Sequence, residues 1–87
     1  MDEPLVFEHA LTHGISEEDI LHAWRNAIDA VTVVRKDGNV DYVAVGPDRS
    51  GRLVEMVARE KTWGLLIYHA NTPPTPRARR ELGIEEG

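Results

Sequence analysis

The chain contains no cysteine. A disulfide-stapled scaffold and a thiolate zinc site are therefore excluded, and the composition fits a reducing cytoplasm. No apolar run approaches the roughly 20 residues of a membrane span, so no membrane role is expected. The first ten residues, MDEPLVFEHA, lack a basic stretch followed by an apolar core and do not read as a signal peptide. Positive charge is also short. Ten Lys and Arg stand against fifteen Asp and Glu, a net charge of −5, which argues against broad non-specific binding to nucleic acid. A local basic patch remains open, because Arg77, Arg79 and Arg80 cluster while acid gathers at Glu17, Glu18 and Asp19 and at Glu85 and Glu86.

At 87 residues the chain is read as a single domain, residues 1–87. A domain of this size buries only about 60% of its unfolded surface, so a partner or a homodimer would help it. Hydrophobic and charged fractions of 41% and 29% are ordinary for a globular protein.

Local signals predict an α+β fold: two N-terminal helices, a four-stranded antiparallel meander and a short C-terminal helix. Gly14 reads as the left-handed stop of a helix over residues 8–13. Ser16 and Asp19 form a capping box with Asp for the usual Glu. Ile20, Leu21, Trp24, Ala27 and Ile28 then make one apolar stripe. After Ala30 the pattern becomes β. Strands are predicted over 31–36, 39–45, 52–60 and 64–70, with Asp37-Gly38 as a two-residue hairpin turn and Pro47 to Gly51 as a second turn. Thr75 can cap the last helix, with Pro76 at its first position and Gly83 past its end.

Alternation assigns Val33, Val40, Tyr42, Ala44, Val54, Met56, Ala58, Leu66 and Tyr68 to one face, expected to carry the helices. The other face holds Val34, Val43, Val45, Leu53, Val57, Leu65 and Ile67 with Asp41, Glu55, Arg59 and His69 among them. Leu53, Val57, Leu65 and Ile67 should then form an apolar patch that a partner covers.

With Lys61-Thr62-Trp63 as the loop, Glu55 lies opposite His69, and Arg59 shares their face. A carboxylate beside an imidazole is an acid–base pair suited to neutral pH, with Glu55 as base, His69 as acid and Arg59 on a phosphate. The same residues also read as a cross-strand ion pair on a solvated face. A two-residue loop would turn His69 towards the helices and remove the pair. His9 and His13 share a helix face at metal-pair spacing but lack a third ligand, and with His22 they read as surface histidines. The glycines around Pro47 have no GKS or GKT sequence and form no phosphate loop. No metal or other cofactor is implied. Arg49, Lys61, Asn71, Arg77 and Arg80 are the candidate contacts to a substrate.

His13-Gly14-Ile15-Ser16, the acidic Glu17-Glu18-Asp19-Ile20, the Leu65-Leu66-Ile67-Tyr68-His69-Ala70 strand and the charged last helix resemble the BrnT-like ribonuclease toxins of bacterial type II toxin–antitoxin modules. That family shows a similar KHG(V/I)S string before its second helix, a meander, an IISAR-like last strand and a basic terminal helix. The likeness spans about residues 8–82. It implies a RelE-like fold, metal-independent cleavage of mRNA without a cofactor, and a cognate antitoxin covering the active face. A non-catalytic interaction module of the same fold is the alternative, with the second sheet face as its docking surface.

Overall fold

A computed structural model describes residues 3–83; Glu85 and Glu86 lie outside the described residues. Strand β1 (Leu5–Val6) is followed by a 3-10 helix (Glu8–His13), α1 (Glu17–Arg25), β2 (Asp29–Val34), β3 (Val40–Pro47), β4 (Leu53–Lys61), β5 (Gly64–Asn71) and α2 (Pro76–Leu82). The sheet has five strands in the order β1-β5-β4-β3-β2. It is mixed, because β1 runs parallel to β5 while the other pairs are antiparallel.

The α+β class, the meander and the C-terminal helix agree with the sequence reading. The first predicted helix is a 3-10 helix rather than an α-helix, closed by Gly14 at φ 77°. α1 begins as expected: the Ser16 hydroxyl accepts from the Asp19 backbone N–H and donates to the Asp19 carboxylate. Thr75 caps α2 by accepting from the Ala78 N–H, and Gly83 ends it at φ 74°.

Helices cover both faces of the sheet, which corrects the expectation that one face carries them all. Ile20 and Ala23 of α1, with Ala10 and Ile15, pack on Ala44, Val54, Met56, Ala58, Ile67 and Ala70. On the other face Ala78 and Leu82 of α2 pack on Val43 and Val57, flanked by Val31, Val33 and Tyr68. The chain's own C-terminal helix thus covers the second face, and Leu65 and Ile67 belong to the α1 side. The predicted four-residue apolar patch does not form, although Leu53 remains exposed.

Two register differences have local causes. The Asp37 carboxylate accepts from the Asn39 backbone and side-chain N–H groups, and Arg35 N–H donates to the Asn39 carbonyl. This Asx turn widens the predicted two-residue loop to residues 35–39, so Val34 pairs with Val40. Val33 consequently faces Asp41 and lies on the α2 side, while Thr32 faces Tyr42. At the other hairpin Lys61 pairs with Gly64, leaving Thr62-Trp63 as a two-residue loop. A bulge between Val57 and Ala58 then leaves Tyr68 unpaired, because Ala58 pairs with Ile67 and Val57 with His69. Tyr68 therefore joins the α2 side and not the predicted face.

α1 approaches β3 closely where Ala23 meets Gly46. A Cβ at Gly46 would lie 2.2 Å from the Ala23 carbonyl oxygen and 3.0 Å from the Ala27 Cα. Both contacts are backbone, so relief requires the helix to move. Gly46→Ala is expected to destabilise the fold by about 2 kcal/mol. Thermal unfolding would register this as a fall in Tm of roughly 10 °C; an unchanged Tm would show that α1 lifts without cost.

Candidate functional site

A polar concavity lies between α2 and the sheet, next to the 3-10 helix. His9, Arg35, Glu55, Arg59, Tyr68, His69, Thr75, Arg77 and Glu81 line it, together with the buried Val57 and Ala78. β4 supplies Glu55 and Arg59, β5 supplies Tyr68 and His69, and α2 supplies Arg77 and Glu81.

Glu55 and His69 do meet, but not through the predicted register. Glu55 is opposite Asn71 and diagonal to His69. The two-residue loop displaces the pairing by one residue, and the bulge at Tyr68 displaces it by one more. Two single shifts return His69 to the face of Glu55. The His69 Nε2 lies 3.2 Å from a Glu55 carboxylate oxygen, and the Thr75 N–H donates to the other oxygen at 2.5 Å. Burial pushes the Glu55 carboxyl up, but the hydrogen bonds from His69 and Thr75 outweigh it and hold its pKa below the usual glutamate value. Glu55 is 3% exposed, whereas the His69 side chain is 33% exposed. The imidazole, not the carboxylate, is the group a ligand can reach.

The sequence reading set His13 aside as a surface residue. Its ring stands edge-on to that of His69, with centroids 6.1 Å apart and planes at 75°. His9 lines the cleft as well. The 3-10 helix packs on β5, which brings His13 beside His69, although His13 is not among the residues lining the cleft. The signal in the sequence was Gly14: a left-handed stop just after His13 fixes the last turn of that helix against its neighbour. His22, by contrast, donates from Nδ1 to the Pro47 carbonyl at 3.0 Å and serves the packing of α1 on β3.

Arg59 shares the cleft but is bound within it. Asp41, with a side chain 0% exposed, accepts from Arg59 Nε at 2.9 Å, Arg35 Nε at 2.8 Å and the Tyr68 hydroxyl at 2.6 Å. Arg35 also donates to Glu81 of α2 at 2.7 Å, and the Arg59 guanidinium sits 5.0 Å from the Tyr68 ring centroid. Burial raises the Asp41 carboxyl, and these donors more than reverse that, lowering its pKa to about 2. Burial and the Asp41 charge raise the Tyr68 phenol.

The remaining candidates separate. Arg77 lines the cleft with its side chain 71% exposed, its Nε 3.9 Å from Glu81. Arg80 is exposed on α2 and is not among the lining residues. Asn71 donates to the Pro73 carbonyl at 3.3 Å. Arg49 grips the start of α1, donating to Asp19 at 2.9 Å and Glu18 at 2.8 Å, and its hydrogen bonds lower the Asp19 pKa to about 2. Lys61 lines a second, mainly apolar groove with Trp24, Ala27, Ala30, Tyr42 and Leu65.

Comparison with protein-family models, curated proteins and solved structures found no match to this chain. The site is therefore read from its own geometry. Among the described residues, no group of three or more His, Asp or Glu could hold a metal ion, and no helix is long and apolar enough to cross a membrane.

Proposed function

We propose that the chain is the toxin of a bacterial type II toxin–antitoxin pair, a metal-independent endoribonuclease acting on mRNA. The observation that carries this reading is an accessible imidazole, His69, held by the buried Glu55 carboxylate in a cleft that Arg77 also lines, with a second imidazole, His13, edge-on to it. The agreement of the α+β element order with the BrnT-like pattern supports it.

The geometry favours a division of roles different from the one the spacing suggested. Glu55 is too buried to reach a substrate hydroxyl, so it positions His69. With Nε2–H donating to Glu55, the neutral ring presents a bare Nδ1, which suits a general base. Nδ1 takes the proton of a ribose 2′-hydroxyl, and the 2′-oxygen attacks the adjacent phosphorus. The P–O5′ bond breaks, and the leaving 5′-oxygen takes a proton from protonated His13. The products are a 2′,3′-cyclic phosphate and a 5′-hydroxyl. Arg77 offsets the charge that grows on the phosphorane oxygens. A cognate antitoxin would cover the same cleft.

Purified protein incubated with single-stranded RNA in EDTA is expected to yield fragments ending in 2′,3′-cyclic phosphate at the rate seen without chelator. Intact RNA, or cleavage that stops on chelation, would refute the mechanism. Expression without a partner should also arrest growth. The second reading, a non-catalytic interaction module, draws on the acidic net charge and on exposed Leu5, Phe7 and Leu11 around β1 and the 3-10 helix. It predicts partner binding with no RNA cleavage.

A further inference from the structure

β2 is an edge strand, and among the described residues only the Asp29 carboxylate, which accepts from the Ala30 N–H at 2.9 Å, occupies its outer side. Edge strands are normally blunted by Lys, Pro, a bulge or a covering element. The Asp29–Val34 segment, DAVTVV, has one charge, at its first position, and neither Pro nor Lys. Its pairing with β3 is regular from Asp29 to Val34. The two most exposed large apolar side chains among the described residues, Val34 at 70% and Ile28 at 65%, stand at its two ends.

The backbone phase along this edge follows from one hydrogen bond. Arg35 N–H donates to the Asn39 carbonyl at 2.8 Å, which marks 35 and 39 as a bonded pair. Antiparallel ladders alternate, so Val33 and Val31 also bond to β3, while the N–H and C=O groups of Ala30, Thr32 and Val34 point away from the sheet. An incoming strand must use those three residues, and at Ala30 it displaces the exposed Asp29 carboxylate from the N–H.

We propose that this edge pairs with the β2 edge of a second copy of the chain, antiparallel, with Thr32 on the two-fold axis. In this register Thr32 bonds to Thr32 of the second copy, and Ala30 bonds to Val34 of that copy, so all three outward residues are used at once. Shifting the register by two residues leaves one of them without an outward-facing partner inside the strand. The side chains agree with the backbone. Thr meets Thr, a favourable cross-strand pair, and Val31 meets Val33. Val34 lies against Ala30 and within diagonal reach of Ile28, so the two exposed aliphatic groups cover each other. Charge is complementary as well, because the end carrying Asp29 meets the end carrying Lys36, Arg35 being held by Asp41 and Glu81 of its own chain. The joined sheets form one ten-stranded sheet, with Glu55 and His69 on β4 and β5, two and three strands from the joined edge. The proposal does not depend on the catalytic reading.

Sedimentation equilibrium of the full chain tests it. The parent is expected to show twice the 9.8 kDa chain mass. Thr32→Lys and Thr32→Glu each set like charges directly opposite one another across the axis, and each should weaken the dimer by about fivefold or more. Thr32 is exposed, so far-UV circular dichroism should be unchanged. Mixing the two variants places Lys against Glu and should restore the dimer, which only self-pairing at residue 32 explains. Val34→Lys provides an independent disruption at an exposed site. A parent that stays monomeric, a dimer indifferent to Thr32→Lys and Val34→Lys, or a mixture no tighter than its components would overturn the proposal.

Discussion

Asp41→Asn is expected to lower stability by about 3 kcal/mol at neutral pH, the largest effect of any single polar substitution in this fold. The carboxylate is fully buried and receives Arg35, Arg59 and Tyr68 from the β2–β3 loop, β4 and β5, and through Arg35 it is linked to Glu81 of α2. Removing its charge leaves two guanidinium groups facing each other with no anion between them. The side chains of Arg35 and Arg59 are 19% and 27% exposed, so water relieves part of the cost and the lower end of the range for a broken buried pair applies. The pH dependence carries its own signature. The folded-state pKa of Asp41 is lowered to about 2, so its contribution is complete above the unfolded value and is lost as pH falls towards 2. The parent should therefore lose about 2 kcal/mol from this group between roughly pH 5 and pH 2. Urea unfolding of Asp41→Asn across that interval should show a shallower slope. Parallel curves for parent and variant would mean that other carboxylates govern the acid limb.

His69→Ala is expected to lower kcat for RNA cleavage by roughly 10²–10⁴-fold, the usual yield of a positioned acid–base group. The Glu55 carboxylate keeps its bond from the Thr75 N–H in this variant, so thermal unfolding should show a folded protein. Glu55→Gln tests positioning separately. Its amide still fills the site but no longer holds the imidazole by charge, so kcat should fall less than in His69→Ala and the pH–rate profile should move. A His69→Ala variant that cleaves at the parent rate would make the histidine purely structural and remove the local case for an enzyme. Equal losses in Glu55→Gln and His69→Ala, with no change of pH profile, would point to a packing defect.

The elements with self-contained signals were legible in the sequence. Ser16 with Asp19, Gly14, and Thr75 with Pro76 and Gly83 each act within one helical turn, and each stands where local chemistry put it. β1 was not legible. Two residues cannot show a period, and Leu5 and Val6 become a strand only because Leu66 and Ile67 lie beside them. The faces of β2 were misread because the Asp37 side chain captures Asn39 and adds residues to the turn. The contact of Glu55 with His69 was anticipated from a three-residue loop, yet it arises from a two-residue loop plus a bulge. Parity explains the agreement: His69 came out on the right face and Tyr68 on the wrong one. Asp41 was visible as a polar residue on an apolar face, but its partners come from separate elements that no short spacing connects. His13 was discounted for want of a metal partner, whereas its neighbour is an imidazole on β5.

The parallel pairing of β1 with β5 sets an order of events. The first strand of the chain has no place to dock until the last strand exists, and the loop closed by that contact spans most of the molecule, so its entropic cost falls late in folding. The hairpins from β2 to β5 close over short separations and can form before it. His9 and His13 travel with the late segment, while Glu55 and His69 belong to the early one. A nascent chain thus carries His9 and His13 unplaced through synthesis of the meander, and the imidazoles of His13 and His69 come together only once β5 has emerged. Local opening at the β1 end would separate the pair again while leaving the meander intact.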